Sequence, residues 1–287
     1  MSLMMTPWIR LERTVIKVAG VDRFSFLQGL ITQDLKKLAK NDALYGALLT
    51  PQGRFDHDFF VTEDADGYLL ECEKDRVGAL LTLLTRYRLR AKVSLEDLSD
   101  HYAVVACIEP STPPQAADIV KLYQDPRLAQ MGWRALVRLP FDASGDLSLY
   151  HTRRIQLGLP EGSLDMEVGK AIPLEYGLDL LNGIDWDKGC YLGQELTART
   201  HYTGILRKTV VPVTIEGMPP AFKEDLYLHN TDPSAPRHAV GKMLSHQGAW
   251  GLVRLRLEVL DQENVILEGP DGARLTPQTP AWRKARG

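Results

Sequence analysis

Cysteine is scarce in this chain. Three occur in 287 residues, Cys72, Cys107 and Cys190, and no two stand close enough in sequence to form a metal-binding pair. An odd, widely spaced set excludes a disulfide framework and argues for a reducing compartment. Seven histidines are scattered along the chain, none beside Cys or Glu at the spacing of a structural zinc site. No apolar run approaches the ~20 residues of a membrane span. Residues 1–10 lack the basic flank and long apolar stretch of a secretory leader. The expectation is a cytoplasmic protein without a metal site or membrane contact. A formal net charge of −3 argues against a protein that coats nucleic acid, and no direct nucleic-acid contact is expected. Internal repeats and low-complexity blocks are absent as well.

What is present is ordinary globular sequence, 44% hydrophobic and 25% charged. At this length roughly 75% of the unfolded chain's surface can be buried, so folding needs no staple. Val15–Val18 reads as a strand. Asp22 is placed to cap a helix carrying Phe26, Leu27, Leu30 and Ile31 on one face. Leu44–Leu49 is a second strand, and Thr50-Pro51-Gln52-Gly53 has turn chemistry. Phe55–Thr62 and Tyr68–Cys72 read as a hairpin around Asp66-Gly67. Asp75–Arg88 is amphipathic, with Val77, Leu80, Leu81, Leu84 and Tyr87 sharing one face.

Tyr102–Ile108 is an apolar strand, stopped by the prolines at 110–114. The pattern predicts helices over Gln115–Tyr123, Leu147–Leu157 and Leu174–Leu181, the last ending at Asn182-Gly183, and a strand over Arg134–Leu139. Beyond residue 205 short strands dominate: Thr209–Ile215, Ala239–Leu244, Gly251–Val259 and Asn264–Leu267. The reading is α+β over residues 7–204, with a subdomain break near 109–116, followed by a small β-barrel over residues 205–287.

One segment is unlike the rest. Asp187-Lys188-Gly189-Cys190-Tyr191-Leu192-Gly193-Gln194-Glu195 sets a thiol and several polar groups among glycines. A helix starting near Gly193 would put Cys190 just before its positive end, and Lys188 adds a cation. Both favour thiolate over thiol and predict a pKa below that of a free cysteine. From the residues alone, an inert turn cysteine is the alternative. Cys72 and Cys107 lie in apolar strands and read as core.

Lys188–Glu195, followed by Arg199, resembles the Lys-Gly-Cys-Tyr-x-Gly-Gln-Glu signature of the YgfZ family, folate-binding relatives of the aminomethyltransferase T-protein of glycine cleavage. Phe26–Asp34, Leu48–Arg54, Ile172–Glu175, Val240–Lys242 and Gly251–Val253 resemble further family segments in the same order. The resemblance implies α+β subdomains around a central channel that holds tetrahydrofolate or a one-carbon-substituted reduced folate, with a C-terminal β-barrel. It implies support of iron–sulfur cluster assembly or repair, with reduced folate and iron–sulfur client proteins or assembly factors as partners. Some bacterial members are called tRNA-modifying proteins for one such client.

On that resemblance Glu175 matches the carboxylate that accepts from the pterin's amidine edge. Arg199, and more weakly Arg54, would meet the carboxylates of the glutamate tail. Lys188, Gln194 and Glu195 are expected to hold the motif loop or line the channel, and Cys190 to carry the chemistry.

The main rival is an aminomethyltransferase moving a one-carbon unit to tetrahydrofolate, which needs a carboxylate positioned to steer protons. T-proteins place adjacent aspartates after a glycine turn. Here Asp58 matches one and His57 replaces the other, while Asp56 could share a strand face with Asp58. A permanently held cluster would want several cysteine ligands, and only Cys190 is a credible one. The basic run Arg86-Tyr87-Arg88-Leu89-Arg90-Ala91-Lys92 could touch RNA, but its phase turns Tyr87 inward and makes it the solvated end of a helix.

Overall fold

The computed structural model describes residues 8–108, 117–204, 206–229 and 238–284. The expected break near 109–116 and the boundary residue 205 lie outside them. In chain order the first part carries β1 (Ile9–Arg10), β2 (Arg13–Ala19), β3 (Leu44–Leu49), β4 (Phe55–Glu63), β5 (Gly67–Glu73), β6 (Ser94–Asp97), β7 (Tyr102–Cys107), β8 (Ile119–Gln124) and β9 (Trp133–Arg138). Its helices are α1 (Arg23–Gln28), α2 (Val77–Arg88), α3 (Leu147–Gln156), α4 (Gly162–Asp165) and α5 (Gln194–Thr203). The strands form two antiparallel sheets, ordered β3-β4-β5-β2-β6 and β1-β7-β9-β8.

The five-stranded sheet is covered on both faces, so β3 reads as a continuous apolar run rather than an alternation. Leu44, Leu48, Phe59 and Val61 pack with α1 and α2 through Leu27, Leu80 and Leu84. Tyr45, Ala47, Leu49 and Phe60 face the other way, into a core shared with Tyr176, Tyr191, Val210 and Leu252.

The second part is a closed barrel of β10 (Lys208–Glu216), β11 (Asp225–Leu228), β12 (Ala239–Gln247), β13 (Trp250–Arg256), β14 (Leu267–Glu268) and β15 (Arg274–Pro277), in the order β10-β13-β12-β11-β14-β15. Alternation along β10 explains its attachment. Val211, Val213 and Ile215 fill the barrel, while Val210 turns out into the core around Tyr45.

Several local expectations are corrected. Of the helix expected over Gln115–Tyr123, residues 115 and 116 lie outside the described residues, and Ile119–Tyr123 belong to strand β8, whose Ile119-Val120 β-branched pair and pairing with β9 outweigh helix propensity. The helix expected over Leu174–Leu181 is a single 3-10 turn, Pro173–Tyr176. It stops at Gly177 (φ 71), where any Cβ would stand 2.8 Å from the Trp282 ring. Asp22 makes no side-chain cap; its carboxylate instead accepts from the Lys92 backbone N–H at 2.7 Å. The strand expected to run to Val259 turns helical at Leu257.

Candidate functional site

The motif segment forms a loop that docks on α1 and leads into α5. Lys188 is its tie. The ammonium is buried and donates to three backbone carbonyls, those of Gln28 at 2.9 Å, Ile31 at 2.6 Å and Gln33 at 2.9 Å. Burial pushes its pKa down to about 8. Three oriented carbonyls satisfy all three ammonium protons, so Lys188 is a strut beneath the loop. The cation expected beside the thiol is thus committed elsewhere. Leu192 N–H donates to the Gly29 carbonyl at 3.1 Å, fixing a second point. Asp185 Oδ1 accepts from the N–H groups of Asp187 (2.8 Å) and Lys188 (3.1 Å), and its Oδ2 pairs with Lys37 at 2.7 Å.

Helix α5 starts where expected. Gly193, at φ 80, is its N-cap, and Gln194 Oε1 accepts from the Tyr191 N–H at 3.2 Å. A Cβ on Gly193 would stand 2.5 Å from the Thr50 carbonyl, and one on Gly53 2.9 Å from the Gly193 carbonyl. The Thr50–Gly53 turn and the cysteine loop therefore press backbone against backbone, which only glycine permits. Two motifs 140 residues apart in sequence are one structural unit. Trp186 braces the loop's entry by stacking on His201 at 3.9 Å between centroids, with Tyr202 edge-on. Sequence reading missed this clamp: Trp186 adjoins the motif and His201 follows 15 residues on, but nothing in the sequence pairs their rings.

The predicted residues do not converge on one cavity. Cys190 is exposed, as are Glu195 and Arg199 on α5, whereas Cys72 and Cys107 are buried in strands. Burial pushes the Cys72 thiol up to about 12. Arg54 reaches the Lys170 carbonyl at 3.3 Å and lines a cleft of about 150 Å³ with Leu174, Leu196 and Thr200. Glu175, largely buried in its 3-10 turn, accepts from Arg254 of β13 at 3.1 Å. Arg254 in turn lines a cavity of about 460 Å³ with Tyr176, Phe222, Lys170, Lys223 and Lys242.

Asp58 lies apart from all of these. Its side chain is fully buried and accepts from Arg13 (3.2 Å), Tyr45 Oη (3.2 Å) and the Gly162 N–H (3.3 Å). The β-bulge opposite Leu48–Leu49 makes Asp56 the extra residue of β4, and Asp56 pairs with Arg76 instead. The two carboxylates thus serve different arginines.

Around Asp58 runs a buried ionic lattice that joins the two sheets. Glu71 of β5 binds Arg13 at 2.6 Å, Arg134 of β9, and the Tyr123 hydroxyl of β8 at 2.5 Å. Asp125 binds Arg127 at 2.8 Å and Arg134 at 3.5 Å. Arg127 and Arg134 stack over Phe60, at 5.0 and 4.1 Å from its centroid. Burial alone would raise the pKa of Asp125, but Arg127 and Arg134 outweigh it and hold it below the usual carboxylate range. Burial would likewise raise the pKa of Glu161, but Arg154 and Arg127 override it and hold it down at about 2. Sequence reading missed this lattice, although charged residues inside apolar strands, Glu71 and Arg134, were its visible sign.

Two family models match the chain: the GCVT N-terminal domain over residues 13–139 and the CAF17 C-terminal beta-barrel domain over residues 207–285. The fold is that of glycine cleavage aminomethyltransferase T, whose crystal structure from Bartonella henselae superposes with a TM-score of 0.68 at 13% identity, over 94% of this chain and 84% of that one. The class is therefore a T-protein-like α+β body with an appended barrel, as expected.

The chain is 38% identical to the mouse iron–sulfur cluster assembly factor IBA57, mitochondrial, over 86% of this chain and 76% of the relative. It is 35% identical to the human protein of that name, over 94% and 83%, and 36% identical to a Mycosarcoma maydis homologue, over 85% and 63%. The chain belongs to the IBA57 family of iron–sulfur cluster assembly factors. The expected cytoplasmic location is corrected by the same finding, since all three relatives are mitochondrial proteins.

Proposed function

We propose that this chain supports iron–sulfur cluster assembly as a YgfZ-type factor, offering Cys190 as a transient ligand to cluster iron and holding a reduced folate beside Glu175. The observation that carries the first part is the contrast among the cysteines. Cys190 alone is exposed, on a loop anchored through Lys188 and Leu192. A thiolate is a soft ligand suited to iron–sulfur chemistry. The cluster is cargo, and one protein thiolate favours passing contact over ownership. In the native protein Cys190 is expected to be alkylated first. Competitive labelling with peptide mapping checks this, and equal labelling of Cys72 would remove the basis of the proposal.

For folate, the fit rests on Arg254, which lines the cavity and donates to the Glu175 carboxylate; Glu175 itself is not among the lining residues. The volume suits a small-molecule site. Tyr176 and Phe222 offer aromatic surface; Lys170 and Lys223 pair with Glu167 and Lys242 with Asp225, so a glutamate tail would compete with those carboxylates for the lysines. When bound, a reduced folate supplies a one-carbon-carrying pterin. The chain's own part is to hold it: Arg254 orients the Glu175 carboxylate, and the lysines meet the tail. Arg199, expected at the glutamate tail, and Glu195, expected in the motif loop or channel lining, stand exposed on α5 and do not line this cavity. Glu175→Ala is expected to weaken tetrahydrofolate binding about tenfold or more, the loss of a charge-assisted pair. Calorimetric titration reads it, and unchanged affinity would refute the assignment.

The transferase alternative is disfavoured by Asp58. A carboxylate that is fully buried and already accepts three hydrogen bonds is poorly placed to steer a substrate's protons.

A further inference from the structure

The start of α1 and the end of α2 form a surface that the cysteine loop and the Arg254 cavity leave unused. Val21 is 77% exposed, Leu89 87% and Phe24 38%. The two segments are stitched together. Lys92 N–H donates to Asp22, and Gly20 approaches so closely that a Cβ there would stand 2.2 Å from the Lys92 carbonyl. Leu89 ends α2 at φ 46, a conformation strained for any residue but glycine. Glycine is the usual helix stop, so a strained leucine aimed at solvent gains nothing for the fold. Around these apolar residues stand Arg23, Arg86, Arg88, Arg90 and Lys92, none with an ion-pair partner among the described residues.

This surface is one short helix away from the thiol. Helix α1 has six residues and is about 9 Å long. Its far end supplies the Gln28 and Gly29 carbonyls that receive Lys188 and Leu192 of the cysteine loop.

We propose that this basic, apolar surface docks an acidic iron–sulfur protein, an inference that rests on the reading of Cys190 as the cluster-facing thiol. Several unpaired cations steer an acidic partner to the right end of the molecule. Val21, Phe24 and Leu89 supply the apolar anchors that a docked interface desolvates. A thiolate-ligated cluster is itself anionic, so the same field favours its approach. A partner docked there sits at the opposite end of α1 from the carbonyls that hold the cysteine loop.

The test titrates the full chain with a small acidic [2Fe–2S] ferredoxin as the probe, at low salt and at roughly 0.2 M salt. Binding is expected, weakened by salt. The pair R88E/R90E should bind about tenfold more weakly or worse. Leu89→Gly should bind several-fold more weakly while its thermal midpoint holds or rises, because glycine relieves the strained φ. The proposal is overturned if the ferredoxin shows no salt-dependent binding or if the surface variants bind it unchanged. It is also overturned if duplex RNA or phosphatidylserine vesicles bind as tightly with the same sensitivity. The two readings separate cleanly. Unchanged binding by the surface variants, with Cys190→Ser inactive in cells, rejects the docking surface alone. Weakened binding with Cys190→Ser fully active rejects the thiol alone.

Discussion

Arg134→Ala is expected to lower folding stability by about 3–5 kcal/mol, the cost of leaving buried charges unpaired. Arg134 is enclosed between the two sheets, where it binds Glu71, Asp125 and the Tyr150 hydroxyl. Its loss strips a counter-charge from two buried carboxylates and removes the cation stacked on Phe60. Chemical denaturation of the variant reads the effect directly. A change under 1 kcal/mol would mean that the lattice is dispensable. Acid probes the same lattice. Glu161 has a folded pKa of about 2, below its ordinary 4.5, so the stability it confers is present above pH 4.5 and lost as pH falls towards 2. Asp125 shifts in the same direction and adds to that acid sensitivity.

The lattice also marks where sequence reading stopped. The elements with clear periodicity, β3, α2, α3 and the hairpin of β4 and β5, stand within a residue or two of where pattern places them. Local chemistry decided them. Failures came where distant partners override local preference. Ile119–Tyr123 was expected as part of a helix but finds an edge of the β9 sheet. The 3-10 turn carrying Glu175 ends early because Trp282, a hundred residues on, occupies the space beside Gly177.

The candidate site divides in the same way. Motif chemistry singled out Cys190 and the helix start at Gly193. It also noted both glycine turns, but not that Gly53 and Gly193 touch. Lys188 was visible as a cation, yet its partners are backbone carbonyls of α1 and the turn after it, which no side-chain pattern announces. Asp58 was legible as an acid at a T-protein position. Its commitment to Arg13 and Tyr45 was not, because those contacts cross between strands.

Cys190→Ser is expected to have the largest functional effect with almost no structural one. The side chain is exposed, so its replacement leaves no cavity and the thermal midpoint should stay within about a degree or two, as for surface substitutions generally. A serine hydroxyl keeps the size and polarity but is a far poorer ligand for iron than a thiolate. Lys188, Leu192 and Gln194 still hold the loop, so any loss reports on the sulfur and not on folding.

The decisive measurement is the activity of an iron–sulfur enzyme, normalised to its protein level, in cells that lack their own factor and carry this chain. Parent, Cys190→Ser and Cys72→Ala are compared at matched expression. Restoration by the parent and by Cys72→Ala, with Cys190→Ser at the level of cells without the factor, is the expected result. Full restoration by Cys190→Ser would contradict it and make the loop a structural element.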